Sequence, residues 1–146
     1  MLTVSNKKLD VYQVFDKVKS SKARKDKIQV LRENDTMAVL DVLRGTFDST
    51  IQWNLPEGEV PFTPAEEEAP PSSLLKQHLK FKYFVKGLRE SNNLRSVKRE
   101  RMFIDMCESV HPRDAEVIVA MINKKSPVKG ITKKLVQEAF PHLIIE

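Results

Sequence analysis

Apolar positions recur at helical spacing along most of this chain, and the pattern predicts about seven helices and no convincing strand pair. Leu9, Tyr12, Phe15 and Val18, with Val11 beside them, mark one face of a first helix running to about Lys19, with Ser5 as its candidate cap. Ser21 is placed to cap a second helix over residues 22–33, in which Ile28 and Leu31 face inward and most other positions are charged. Asn34-Asp35 breaks it. Asp35 then caps a third helix over 36–44, which Gly45 ends as a C-terminal cap. Short helices with short connections are the grammar of an all-α domain.

The pattern changes at Phe47. Residues 47–55 (FDSTIQWNL) are β-rich in composition but isolated, and predict an extended segment pinned to the core by Ile51 and Trp53. Residues 54–73 hold five prolines, five glutamates and no basic residue, and predict a flexible acidic linker within the domain. Such a segment suits either a solvated connector or a competitor for ligands of a nearby basic surface.

Ser72-Ser73 opens a fourth helix over 74–90, with Leu75, Leu79 and Tyr83 as one stripe. Leu74, Phe81, Phe84, Val85 and Leu88 widen it, and Lys76, Lys80, Lys82 and Lys86 form its wet side. Ser91-Asn92-Asn93 breaks the chain before a fifth helix, around 94–110, with Val97, Phe103, Ile104, Met106 and Cys107 as candidate core. Pro112 fits the first position of a sixth helix, where Asp114 and Glu116 suit the dipole and His111 suits the cap. Thr132 caps a short seventh helix that Pro141 ends. The expectation is one compact all-α domain over residues 1–146.

Charge sharpens this picture. The net charge of +5 is unevenly placed: residues 1–71 carry 10 Lys+Arg against 12 Asp+Glu, and residues 72–146 carry 15 against 8. The second half therefore holds the field that would attract a polyanion. No apolar run approaches the ~20 residues of a membrane span. The start MLTVSNKKLDVYQ lacks the apolar stretch of a signal peptide. One cysteine, Cys107, permits neither an internal disulfide nor a multi-cysteine metal site, and its apolar surroundings predict a packed thiol. Together these features suggest a reducing cytoplasm.

Catalytic groups do not converge. His78, His111 and His142 have no metal-ligand spacing, so no metal is expected. Ser5-Asn6-Lys7-Lys8 matches a four-residue Ser-x-x-Lys pattern that arises easily by chance. The Glu66-Glu67-Glu68 run sits in the linker, where nothing would hold paired carboxylates in geometry. Four glycines do not build a phosphate-binding Gly-rich loop beside their capping duties. The expectation is a non-enzyme without cofactor or small-molecule substrate.

Binding fits better. Lys124, Lys125, Lys129, Lys133 and Lys134 surround Gly130 and Thr132 in a turn leading into the last helix. Arg95, Lys98, Arg99 and Arg101, with Ser96, open the fifth helix. Cations, hydroxyls and helix-start amides are the parts that grip phosphates without reading bases. The same residues also suit two separate solvated faces.

The C-terminal half resembles a known family. The basic turn, Gly130-Ile131-Thr132, the short helix and Phe140-Pro141-His142-Leu143-Ile144 resemble the end of the N-terminal DNA-binding domain of ATP-dependent DNA ligases of the T-even phage type. Leu94-Arg95-Ser96-Val97 is similar to a ligase Leu-Thr-Gly-Asn segment, and Pro112 to Val117 to the following helix start. Ser21-Lys22 through Leu31 to Asp35, and Ile51-Gln52-Trp53 to Pro56, fall in the same order over about residues 9–145. The chain also resembles short proteins of T-even-like phages.

This resemblance implies an all-α domain gripping duplex DNA across the minor groove. By position the contacts would be Arg95, Ser96 and Lys98 at one helix start, and Lys129, Gly130, Thr132 and Lys133 at the other. Two departures stand out: His142 replaces a usual glycine, and the chain ends at Glu146 without a Lys-x-Asp-Gly nucleotidyltransferase motif. The expectation is a clamp acting alone: a sequence-nonspecific duplex-DNA-binding protein of phage origin in the host cytoplasm, with Arg99, Lys124, Lys125 and Lys134 completing the phosphate contacts. The alternative is an interaction module for a phage or host replication or transcription protein, docking through the acidic linker or the apolar tail Leu143-Ile144-Ile145.

Overall fold

A computed structural model of the protein describes residues 8–145. Ser5, the expected first cap and the first residue of the Ser-x-x-Lys match, lies outside the described residues. The chain is all-helical, in one domain, and among the described residues it forms no strand. Helix α1 (Val11–Ser20) starts at Asp10, whose amide donates to Gln13 Oε1 at 2.9 Å. Val11, Val14, Phe15 and Val18 on its inner face are fully buried. Ser21 closes α1 instead of opening the next helix: its amide donates to the Lys17 and Val18 carbonyls and its hydroxyl to Lys17 O. Helix α2 (Arg24–Glu33) begins two residues later than expected, after Ala23, and turns Leu31 fully inward.

Thr36, not Asp35, caps α3 (Met37–Phe47), its Oγ1 accepting from the Val39 amide at 3.3 Å. Gly45 lies inside that helix and does not end it. A Cβ there would sit 2.5 Å from Trp53 Cζ2 and 2.9 Å from Met121 Sδ, so the glycine serves close approach and not termination. Trp53 Nε1 donates to the Gly45 carbonyl at 2.9 Å, and its ring meets Phe81 edge-on at 6.0 Å. The extended segment is therefore pinned through Trp53 as expected, and it makes one isolated antiparallel bridge with Val85.

The expected fourth helix is broken into pieces. Helix α4 (Leu74–Gln77) tightens into a 3₁₀ turn (His78–Tyr83), and a further four-residue helix α5 (Arg89–Asn92) follows Gly87 at φ +95°. With three residues per turn, His78, Phe81 and Phe84 share the inner side, and Leu79, expected in the core, is 68% exposed. The chain must also present Phe84 O and Lys86 N to Asn54 and Gln52 at 2.7 Å each, which a continuous helix could not do. Ser91, expected as a break, is buried within α5.

Helix α6 (Ser96–Ser109) buries Phe103, Met106 and Cys107, but Val97, expected in the core, is 79% exposed in its first turn. Burial pushes the Cys107 thiol up to about 12, as a packed cysteine requires. Helix α7 (Pro112–Ile122) has Pro112 at its first turn and His111 as cap, the ring accepting from the Arg113 amide at 3.0 Å. Asp114 does not merely face the dipole: it is buried and its Oδ1 accepts the Tyr12 amide at 2.8 Å, tying α7 to the start of α1. Helix α8 (Lys133–Ala139) packs on α2, whose Arg32 donates to the last α8 carbonyls, Glu138 O and Ala139 O.

Helix α7 is the hub, lying against α1, α3 and α6, with α2 joining α1 to α8. Residues 54–73 form no helix, yet they are tied down at Gly58 to Asn123, at Thr63 to Glu108 and at Ser72 to the Ser109 carbonyl. The tail is tied too: Leu143 and Ile144 pack on the core and the Ile145 amide donates to Asp48 Oδ2 at 3.1 Å.

Candidate nucleic-acid interface

The basic turn is built by the way α7 ends. Lys125 N donates to Ala120 O and Lys124 N to Met121 O, the paired bonds of a Schellman close, in which the left-handed residue is normally glycine. Here it is Lys124, at φ 57°. Its side chain accounts for the choice: Nζ donates to the Gly45 carbonyl at 2.8 Å and the Asp48 carbonyl at 2.9 Å, fastening the end of α7 to the end of α3. Burial lowers the Lys124 pKa, against the attraction of Asp48. Lys124, expected among the phosphate contacts, is an exposed residue whose ammonium is engaged by these two carbonyls.

The rest of the turn is closed by Ser126 Oγ, which lies 2.8 Å from Val128 O and 2.6 Å from Ile131 O. Gly130 adopts φ +102°, as its place in the turn predicts, and Ile131 is buried. Thr132 caps α8, its Oγ1 accepting from Leu135 N at 3.2 Å. Helix α8 has only seven residues and the amide of Leu135 in its first turn is already taken, so any anion held here would be held mainly by side chains. Lys125, Lys129 and Lys134 are exposed and Lys133 is half-buried.

The second cluster is divided in the same way. Arg95, Ser96, Lys98 and Arg101 are exposed at the start of α6, and Arg95 makes no side-chain cap bond. Arg99 is only 8% exposed, and its Nη2 donates to Ser91 O at 3.0 Å and Leu94 O at 2.8 Å, so it braces α5 against α6. Arg99, unlike the exposed Lys124, is turned away from solvent.

Antiparallel packing of α6 on α7 through the short Val110-His111 connection brings the start of α6 and the end of α7 to one end of the hairpin. A cleft of about 180 Å³ records this, lined by Glu100, Phe103 and Ile104 of α6 and by Ile122 of α7. The same cleft is closed by Leu55, Pro56, Glu59, Val60 and Pro61, so the acidic segment lies across the α6–α7 hairpin. Asn123 holds it in place through Gly58 in both directions, at 2.7 and 3.1 Å. Glu57 shares a second cleft, of about 560 Å³, with Trp53, Lys86 and Lys124.

Helix α2 contributes what the sequence reading missed. Lys27 Nζ, which caps the end of α1 at the Val18 and Ser21 carbonyls, lies 3.5 Å from the Cβ position of Gly130. Lys22 and Lys25, exposed at the start of α2, extend the basic surface beside α8. Their density of charge was visible in sequence, but nothing local pairs α2 with a helix 100 residues away.

Among the described residues no group of three or more His, Cys, Asp or Glu could hold a metal ion. No helix among them is long and apolar enough to cross a membrane. A family model described as "Family of unknown function (DUF6433)" matches residues 14–127. No curated protein and no solved structure matches the chain.

Proposed function

This chain belongs to the DUF6433 family of unknown function, and we propose that it is a non-catalytic, sequence-nonspecific duplex-DNA-binding protein of phage origin. One observation carries this: Arg95 and Lys98 at the start of α6, and Lys125 and Lys129 after α7, are exposed on segments that the α6–α7 hairpin brings to one end. Among the described residues these four form no ion pair. Lysines and arginines so placed suit a run of phosphates, and Ser96 and Thr132 add hydroxyls beside them. Affinity would then come mainly from counterion release. The ligase-domain resemblance supports the same face by an independent route.

The acidic segment fits this role as a built-in competitor, since Glu59 lines the cleft between α6 and α7 and Glu57 lines the cleft beside Lys86 and Lys124. A second role, protein interaction, is favoured by a separate apolar groove between α3 and the 3₁₀ turn. Fluorescence anisotropy with labelled duplex, nicked and single-stranded DNA tests the first role. Binding of duplex that weakens steeply with salt is expected. Absence of binding to all three at low salt would overturn it.

A further inference from the structure

The break in the expected fourth helix leaves a surface that the DNA-binding role does not use. Leu79 and Lys82 lie three apart on the 3₁₀ turn, and Val85 and Leu88 of the irregular stretch after it line the same ridge. Opposite them runs the outer stripe of α3, where Met37, Asp41 and Arg44 succeed one another at i, i+4 and i+7. Between the ridge and the stripe lies a groove of about 380 Å³, with Gly45, Trp53 and Phe81 at its floor.

The groove is apolar where apolar groups are not expected. Leu79 is 68% exposed and Leu88 41%, and Met37, one turn before Asp41, is 63% exposed. Two large exposed apolar side chains, Leu79 and Leu88, with Val85 beside them on one concave surface, are a docking signature, whereas the same residues scattered singly would need no explanation. The floor is fixed, because Trp53 Nε1 donates to the Gly45 carbonyl and its ring meets Phe81 edge-on. A preformed floor lowers the ordering cost of binding.

The rim selects the occupant. Lys82 and Arg44 line the groove, and Lys80 and Arg89 are exposed at neighbouring positions. The one carboxylate in the lining, Asp41, is hydrogen-bonded to His78 Nδ1 at 2.6 Å, and Arg44 is paired with buried Asp48 at 3.6 Å, so Lys82 is the lining charge that no ion pair matches among the described residues. An apolar trough with a cationic rim complements a segment carrying both apolar anchors and carboxylates. We infer that this groove docks an acidic amphipathic segment of a partner protein, its Leu, Ile or Phe side chains entering between Leu79, Val85 and Leu88 and its carboxylates meeting Lys82, with Lys80 and Arg89 beside it. None of the residues proposed for phosphate contact lines the groove, so the two surfaces can be tested apart.

The experiment is a selection from a displayed library of random 12-residue peptides on the full chain, followed by affinity measurement of the enriched peptides. Enrichment of sequences combining apolar anchors with Asp or Glu is expected. Those peptides should lose about tenfold or more on the Leu79→Asp/Leu88→Asp variant, as central anchors do, and severalfold on Lys82→Glu. All three positions are exposed, so an unchanged helical spectrum and unchanged duplex-DNA affinity are expected of both variants. No enriched sequence, enrichment without carboxylates, or equal binding to the variants would overturn the inference. Dimerisation of the wild-type chain that Leu79→Asp abolishes would also overturn it, by giving the groove to a second copy.

Discussion

Lys124 Nζ lies 2.8 Å from the carbonyl oxygen of Gly45, and this contact decides what the most lysine-rich stretch of the chain has on offer. The ammonium group that sequence placed in a phosphate site instead terminates α3, shared with the Asp48 carbonyl. The residue accepts a left-handed backbone for it, at a cost of roughly 1–2 kcal/mol. Lys124→Met should keep the strain and lose both bonds, lowering stability by about 2 kcal/mol. Lys124→Gly should be less damaging, because it loses the bonds but relieves the backbone. Urea unfolding orders the two variants; Lys124→Gly as the weaker would contradict this assignment.

Arg99 makes the same distinction in the other cluster. Arg99→Met removes the side-chain donor from the Leu94 carbonyl and from the Ser91 carbonyl, which keeps the Leu94 amide. It should cost roughly 1–3 kcal/mol in urea unfolding while leaving the DNA affinity of the folded protein unchanged. Lys98→Glu, one residue away and exposed, should do the reverse.

Gly45→Ala tests the close approach of Trp53. In an unencumbered helix alanine would stabilise by about 1 kcal/mol. Here its Cβ would overlap Trp53 and Met121, and a net loss of about 1–3 kcal/mol is expected by thermal or urea unfolding. Quenching or shifting of Trp53 fluorescence should accompany it. A stabilised variant would show that the ring moves aside freely.

Asp114 sets a pH dependence. Burial pushes its carboxyl up to about 7, with the Tyr12 amide pulling down, Asp10 pushing up and Arg113 pulling down. Its Oδ2 is buried without a hydrogen-bond partner. Because the folded state favours the protonated form, its contribution is fully present below about pH 4 and is lost as pH rises through about 7. Asp114→Asn should therefore gain on the wild type between pH 4.5 and pH 8, by an amount on the order of a few kcal/mol at about 1.4 kcal/mol per tenfold in proton affinity. Asp48 is buried as well, yet hydrogen bonds from Thr50 and Ile145, with Arg44, outweigh that burial and hold its carboxyl below the usual range. It acts oppositely, losing stability only as pH falls below the carboxylate range, and the difference between variant and wild type cancels it. A difference that does not change with pH would contradict the assignment.

Much of this fold was legible because its information is local. Val11, Phe15 and Val18 of the expected α1 stripe, the Thr132 and His111 caps, Pro112 and the Gly130 turn each follow from a few neighbouring residues, whereas Val14 was not in that stripe and Leu9 and Tyr12 are only half-buried. What was not legible depends on distant partners. Gly45 looks like a helix end until Trp53 is seen to occupy its missing Cβ, and Leu79 looks like core until pairing with residues 52–54 forces a 3₁₀ turn. The lysines and arginines of the two clusters are alike in sequence. Only packing separates Lys124 and Arg99, which reach backbone carbonyls, from Lys125, Lys129 and Lys98, which face outward.

The most direct test of the DNA-binding role is the slope of log Kd against log salt for a labelled duplex, in the wild type and in Lys129→Glu/Lys133→Glu/Lys134→Glu. The wild type should weaken steeply with salt, at close to one power of salt for each phosphate neutralised, and the variant should lose about three powers with most of its low-salt affinity. Salt-insensitive binding, or a variant with the wild-type slope, would contradict the claim that this basic end grips a phosphate backbone.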